Sequence, residues 1–232
     1  MLCRSGVFYM YKMVAITVSS CGIIIQKEDS VMNAGVVDRL CAAMYKLLQK
    51  KKFNRISIKE LILEAKVNRS SYNYHFSDPE EVIDVMINTF RSDFEKSLME
   101  NYPTDADYPH RYTMFSILAY LKEKESFIRV MDKAGFGEKI NMSIRNALLD
   151  YLNSIEVMCL SENGELYELT DDHLKDLRNR LHVHYMIGYI NYWISKDFGV
   201  TSDEMMELLD EVEKVNKDIS RYFRLMESKG SN

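Results

Sequence analysis

Helix-breaking residues are scarce in this chain, with 9 glycines and 3 prolines among 232 residues. So few breakers, beside an abundance of Leu, Met, Glu and Lys, favour an all-α fold. Cysteine is scarce too. Cys3, Cys21, Cys41 and Cys159 show neither CxxC spacing nor a paired rhythm, which argues against a disulfide framework or a zinc site and suits a reducing cytoplasm. No GxSxG, HExxH or glycine-rich phosphate loop is present, so the common hydrolytic and nucleotide-dependent chemistries lack their motifs. His182 and His184 are two residues apart and so on different faces of a helix, and His110 and His173 have no evident partner. The expectation is a protein that is no enzyme and carries no metal or cofactor.

Long apolar runs are also few. Val7 to Ile25 is the one candidate, and Lys12 interrupts it; within it, Val18-Ser19-Ser20-Cys21 has the look of a lipoprotein signal. Because Met32 stands just before the first clear helix, residues 1–30 are read as an over-extended start or loosely attached leader rather than a membrane span. The net charge of −5 hides an asymmetry. From Val31 to Phe76 there are nine Lys/Arg against three Asp/Glu, and from Ser77 onward 18 against 30. A small basic module is joined to a larger acidic one, and basic modules usually meet polyanions. The Lys50-Lys51-Lys52 run taken alone suits a solvated face equally well.

Helical spacing begins at Val36 and Val37 and continues through Leu40, Ala43, Met44, Leu47 and Leu48 into those lysines, cations suited to a helix C-terminus. Ser57-Ile58-Lys59-Glu60 reads as a capping box opening a short second helix, with Ile58, Leu61, Ile62 and Ala65 turned inward. Asn68 is then a good N-cap for a third helix from Arg69 to about Tyr74. Two short helices joined by so tight a turn make a helix-turn-helix. Asp78 and Pro79 start a long fourth helix running to about Glu100, and Asn101 to His110 is the best linker. Helical patterns follow over Tyr112 to Lys124, Ser126 to Ala134, Glu138 to Met158, Asp171 to Lys196 and Thr201 to Glu227, with a break at Ser161 to Gly164. The predicted organisation is a leader at 1–30, a helix-turn-helix domain at 31–77, a connecting helix at 78–101 and a helical second domain at 111–227.

Ile56-Ser57-Ile58-Lys59-Glu60-Leu61, Ala65-Lys66-Val67-Asn68-Arg69 and Tyr74-His75-Phe76 together resemble the DNA-binding domain of tetracycline-repressor-type (TetR-type) bacterial regulators, with the spacing from Ile58 to Phe76 kept without a gap. The stretch from Tyr189 to Ile194, followed by Thr201 to Met205, looks like the tail of Firmicute members. The resemblance implies a cytoplasmic regulator, in most cases a repressor. It implies a homodimer on palindromic double-stranded operator DNA, and a small-molecule effector pocket in the second domain, with no membrane partner. It places Lys59, Asn68, Arg69, Ser70, Ser71, Asn73, Tyr74 and His75 at the DNA. Arg can bind guanine through two parallel hydrogen bonds, and serine hydroxyls can donate to phosphate. Two positions depart from the family pattern. Asn73 stands where a tyrosine is usual, and Pro79, between Asp78 and Glu80, replaces a lysine that commonly contacts phosphate.

The residues themselves leave bland readings open. Tyr72 and Phe76, four apart, share one helix face and suit packing against the first and fourth helices better than a stacking platform for single strands. In the second domain Tyr112, Phe115, Phe127, Met131, Met142, Tyr185 and Tyr189 suit either an adaptable pocket wall or an ordinary core. Leu177, Leu181, Gly188 and Tyr192, with Leu208 and Val212 in the last helix, exceed what one inner face needs and suit a four-helix dimer interface. The rival to a regulator is a regulator-derived interaction protein that has lost operator binding, motivated by Asn73, Pro79 and the flanking acids.

Overall fold

A computed structural model describes residues 35–100, 109–154, 158–160, 166–168, 170–212 and 214–215. The leader, most of the linker and the far end of the last expected helix lie outside the described residues. The elements are α1 (Val36–Leu48), a 3-10 turn at Phe53–Arg55, α2 (Ile58–Glu64), α3 (Arg69–His75), α4 (Pro79–Glu100), α5 (Pro109–Glu123), α6 (Glu125–Lys133), α7 (Gly137–Ser154), β1 (Met158–Leu160), β2 (Leu166–Glu168), α8 (Asp172–Ser195) and a helix α9 over 202–212. The fold is all-helical apart from one small hairpin.

That hairpin corrects the expected seventh helix. It ends at Ser154, not Met158, and Met158 instead pairs with Glu168 in an antiparallel ladder that continues through Cys159–Tyr167 and Leu160–Leu166.

The spine of the molecule is α4. Its start is fixed by local chemistry: the Asp78 carboxylate accepts from the Glu80 and Glu81 amides at 2.7 and 3.2 Å, while the Glu81 carboxylate accepts from the Ser77 amide at 2.7 Å. Val82, Ile83, Met86, Phe90, Phe94 and Leu98 then recur on one face and are all buried. At 1.5 Å per residue the helix is about 33 Å long. It packs on α1 at one end and on α5 and α7 further along. Truncating one of its buried phenylalanines to alanine costs about 3–5 kcal/mol.

The turn from α2 to α3 is equally defined. Lys66 takes the left-handed conformation at φ 53°, and the Val67 amide donates back to the Ile62 carbonyl at 3.0 Å, closing the helix end. Arg39 of α1 donates to the Lys66 carbonyl at 3.2 Å. The second helix differs in one detail from its sequence reading: the Ser57 hydroxyl does accept from the Glu60 amide at 3.3 Å, but the Glu60 carboxylate accepts from Lys51.

Candidate nucleic-acid interface

The third helix is two-faced. Tyr72 is wholly buried and Phe76 nearly so, their rings 6.0 Å apart, which anchors the helix to the core. Asn68 caps it, its side-chain oxygen accepting from the Ser71 amide at 2.7 Å. On the opposite side Arg69, Ser70, Asn73, Tyr74 and His75 are exposed, Tyr74 to 85%, while Ser71 is half-buried. Tyr74 and His75 meet edge to face at 4.9 Å. Lys59, on α2, is exposed as well. Of the eight residues expected at DNA, all but Ser71 are exposed, and one of those seven, Asn68, has its oxygen committed to the cap. This seven-residue helix holds its aromatic anchor inward and a polar surface outward.

The acids that depart from the family pattern each have internal work. Asp78 and Glu81 cap α4, as described above. Glu80 accepts from Lys139 of α7 at 2.8 Å, and Asp84, one turn on, accepts from the same ammonium at 2.7 Å. These two carboxylates, Asp84 first, hold the Lys139 ammonium above its usual range. The α6–α7 corner adds an edge-to-face contact of Phe136 with Phe53 at 5.0 Å. Lys139 ties α7 to the start of α4 and Phe136 ties the α6–α7 corner to Phe53, and nothing in the sequence pattern singled them out.

The seven residues offered as a pocket wall are scattered. Phe127 and Met131 are buried, Phe115 and Met142 are exposed, Tyr185 and Tyr189 are half-buried, and the Tyr112 side chain lies outside the described residues. Burial pushes the Tyr189 phenol up to about 12. One cavity of about 220 Å³ lies among α6, α7 and α8, walled by isoleucines (Ile128, Ile140, Ile144 and Ile194) and by Asn141 and Asn191. A second, of about 130 Å³, lies between α1, α4, α5 and α6, and Phe127 is the one residue of the expected set that lines either.

One face of α8 is buried through Val183, Met186, Ile187, Ile190 and Trp193. Its other face leaves Leu174, Leu177, Leu181 and Tyr192 exposed, and Leu208, Val212 and Val215 continue the apolar surface along the last helix. Gly188 is exposed, and a Cβ there would meet nothing within 4 Å. Among the described residues no group of three or more His, Cys, Asp or Glu is placed to hold a metal, and no helix is long and apolar enough to cross a membrane.

No protein-family model matches the chain, and no curated protein matches its sequence. Solved structures do match in shape. "Dihydroxyacetone kinase operon activator DhaS" superposes with a TM-score of 0.50 at 15% identity, over 79% of this chain and 97% of that one. A "transcriptional regulator (TerR/AcrR family)" from Aquifex aeolicus VF5 gives a TM-score of 0.50 at 14% identity, over 78% of this chain and 99% of the other. The chain has the TetR-type regulator fold. At such identities the TetR-type likeness is one of backbone, and the side chains that give this protein its particular work have to be read from its own surface.

Proposed function

We propose that this protein is a sequence-specific DNA-binding transcriptional regulator, a repressor acting in the cytoplasm as a homodimer under the control of a small molecule. One observation carries the reading: the exposed face of α3, bearing Arg69, Ser70, Asn73, Tyr74 and His75 on a helix whose inner face is buried. Arg69 and Lys59 reach base edges in the major groove, and Ser70, Ser71 and Tyr74 hold the phosphates that set the helix's register. The basic module supplies attraction that does not depend on sequence, and the acidic remainder keeps the contact one-sided. Two copies joined through the exposed apolar faces of the last two helices place two α3 helices on the two halves of a palindrome. The cavities beyond α1 offer places for the controlling molecule.

The rival reading, loss of operator binding, rests on Asn73, Pro79 and the flanking acids Asp78 and Glu80. Asp78 caps α4 and Glu80 is bonded to Lys139, so the acids have internal partners, and Asn73 and Pro79 are what remains of its motive. Footprinting on the DNA flanking the protein's own gene tests the proposal. A protected two-fold-symmetric site supports it, and uniform weak binding at low salt counts against it. A reporter behind the protected site then gives the sign: expression that rises when the gene is deleted marks a repressor, and expression that falls marks an activator.

A further inference from the structure

We propose that the half-open cavity lined by α1, α4, α5 and α6 binds a small organic cation, an alkylammonium ion, and that its occupancy couples the helix-turn-helix unit to the helices beyond. The wall is aromatic. Tyr45 of α1 stacks on Phe127 of α6 at 6.2 Å, Phe127 stacks on Phe90 of α4 at 5.5 Å, and Phe90 meets Tyr120 of α5 at 5.9 Å. Such ring faces attract ammonium groups through their quadrupoles, the more so when water is excluded. The fold already places one cation here, since the Lys124 ammonium stands 5.4 Å from the Tyr120 ring centre.

The rim decides the sign of the ligand. It carries Asp93, Glu123 and Lys124. Glu123 is bonded to Lys124 at 2.9 Å and is largely exposed, which leaves Asp93 as a part-buried carboxylate with no ion pair among the described residues. Burial pushes the Asp93 carboxyl up, Lys124 and Lys96 pull it down, and Glu123 adds to the rise. An incoming ammonium can form the close ion pair that neither Lys124 nor Lys96 makes with Asp93 among the described residues, while an anion would face the carboxylates of Asp93 and Glu123 at the rim. At about 130 Å³ the space holds several water molecules and so a small cation, not a drug-sized ligand.

The position gives the site its consequence. Tyr45 belongs to the first helix of the DNA-binding unit, Phe90 and Asp93 to α4, and Phe127 to the second domain. A cation seated among them touches all three bodies, and preference for one arrangement of them shifts the population of that arrangement. This effect on DNA rests on the regulator reading; the binding itself does not.

The test uses the full chain with tetramethylammonium chloride as probe and tert-butanol as a neutral molecule of similar size, titrated by calorimetry. Tetramethylammonium is expected to bind saturably, one per chain, and tert-butanol not to bind. Asp93→Asn should weaken the cation at least tenfold. Lys124→Met should tighten it severalfold by vacating the Tyr120 ring, with melting curves showing that both variants fold. Equal binding of both probes, no binding of either, or indifference to Asp93→Asn overturns the site. Gel shifts with tetramethylammonium chloride against equal sodium chloride then read the coupling, which is overturned if the cation binds and selective DNA affinity does not change. Should the cation bind as expected while the protein selects no DNA sequence at all, the regulator reading fails and the cation site stands.

Discussion

Tyr72 and Tyr74 are two residues apart on one short helix, and conservative removal of their hydroxyls should have opposite effects. Tyr72 is wholly buried, and its hydroxyl oxygen has no hydrogen-bond partner among the described residues. Burial, with Asp78 and Glu81 adding, holds its phenol above the usual range. An unpaired buried hydroxyl costs about 1–3 kcal/mol, so Tyr72→Phe, which keeps the ring and its contact with Phe76, should stabilise the protein by about 1 kcal/mol. For a chain of this size that raises Tm by about 2–4 °C. DNA affinity should stay within twofold of the parent. Tyr74, 85% exposed, has little stability to lose, and Tyr74→Phe should shift stability by no more than about 0.5 kcal/mol. A hydrogen bond to phosphate is worth about 1 kcal/mol and the dimer loses two, so the same change should weaken DNA binding roughly thirtyfold, on specific and unrelated sequences alike. Calorimetric melting and fluorescence anisotropy on both variants give the four numbers. If Tyr72→Phe destabilises by more than 1 kcal/mol, or impairs DNA binding while Tyr74→Phe does not, the helix is rotated from the orientation described and the assigned face is wrong.

Three further outcomes follow from the same geometry. Arg69→Ala should relax specificity at one base pair in each half-site, at about 1–3 kcal/mol per lost bidentate contact; an equal loss on every sequence, measured by competition binding, would make Arg69 a phosphate contact only. Pro79→Lys should tighten specific and unrelated DNA together and steepen the log–log salt dependence by about one unit per subunit. A folded variant with an unchanged slope would remove the start of α4 from the DNA. Gly188→Leu should leave each subunit helical, because a Cβ there meets nothing within 4 Å, yet reduce the dimer in sedimentation; an unchanged dimer would put the interface elsewhere.

The helix-turn-helix unit was legible because its signals are local. Ser57, Asn68 and Asp78 each accept from an amide in the first turn of the helix that follows, and residues three apart are easily seen in sequence. The apolar surplus on the last two helices was legible for a related reason, since a helix with more apolar positions than one core contact needs has to place the rest outside. The hairpin was missed because helical periodicity was carried through Met158, although Asn163-Gly164 just beyond is the strongest short hairpin signal. The cavity between α1 and α6 was missed for a different reason. Its wall brings Tyr45, Phe90, Tyr120 and Phe127 together from four helices, and no single-helix pattern distinguishes such a residue from ordinary core. The latch from Lys139 to Glu80 and Asp84, 59 and 55 residues away, is equally invisible to local spacing.

The central claim, that α3 reads DNA sequence from a two-fold-symmetric dimer, is tested most directly by selecting binding sites from a pool of random duplexes with the purified full chain at physiological salt. The expected product is a palindrome whose half-sites lie about one helical turn apart, or a multiple of it. It should be bound about a thousandfold or more tightly than unrelated DNA, with that preference diminished in Arg69→Ala. A pool that returns no shared sequence after repeated rounds, from protein that is folded and dimeric, contradicts it.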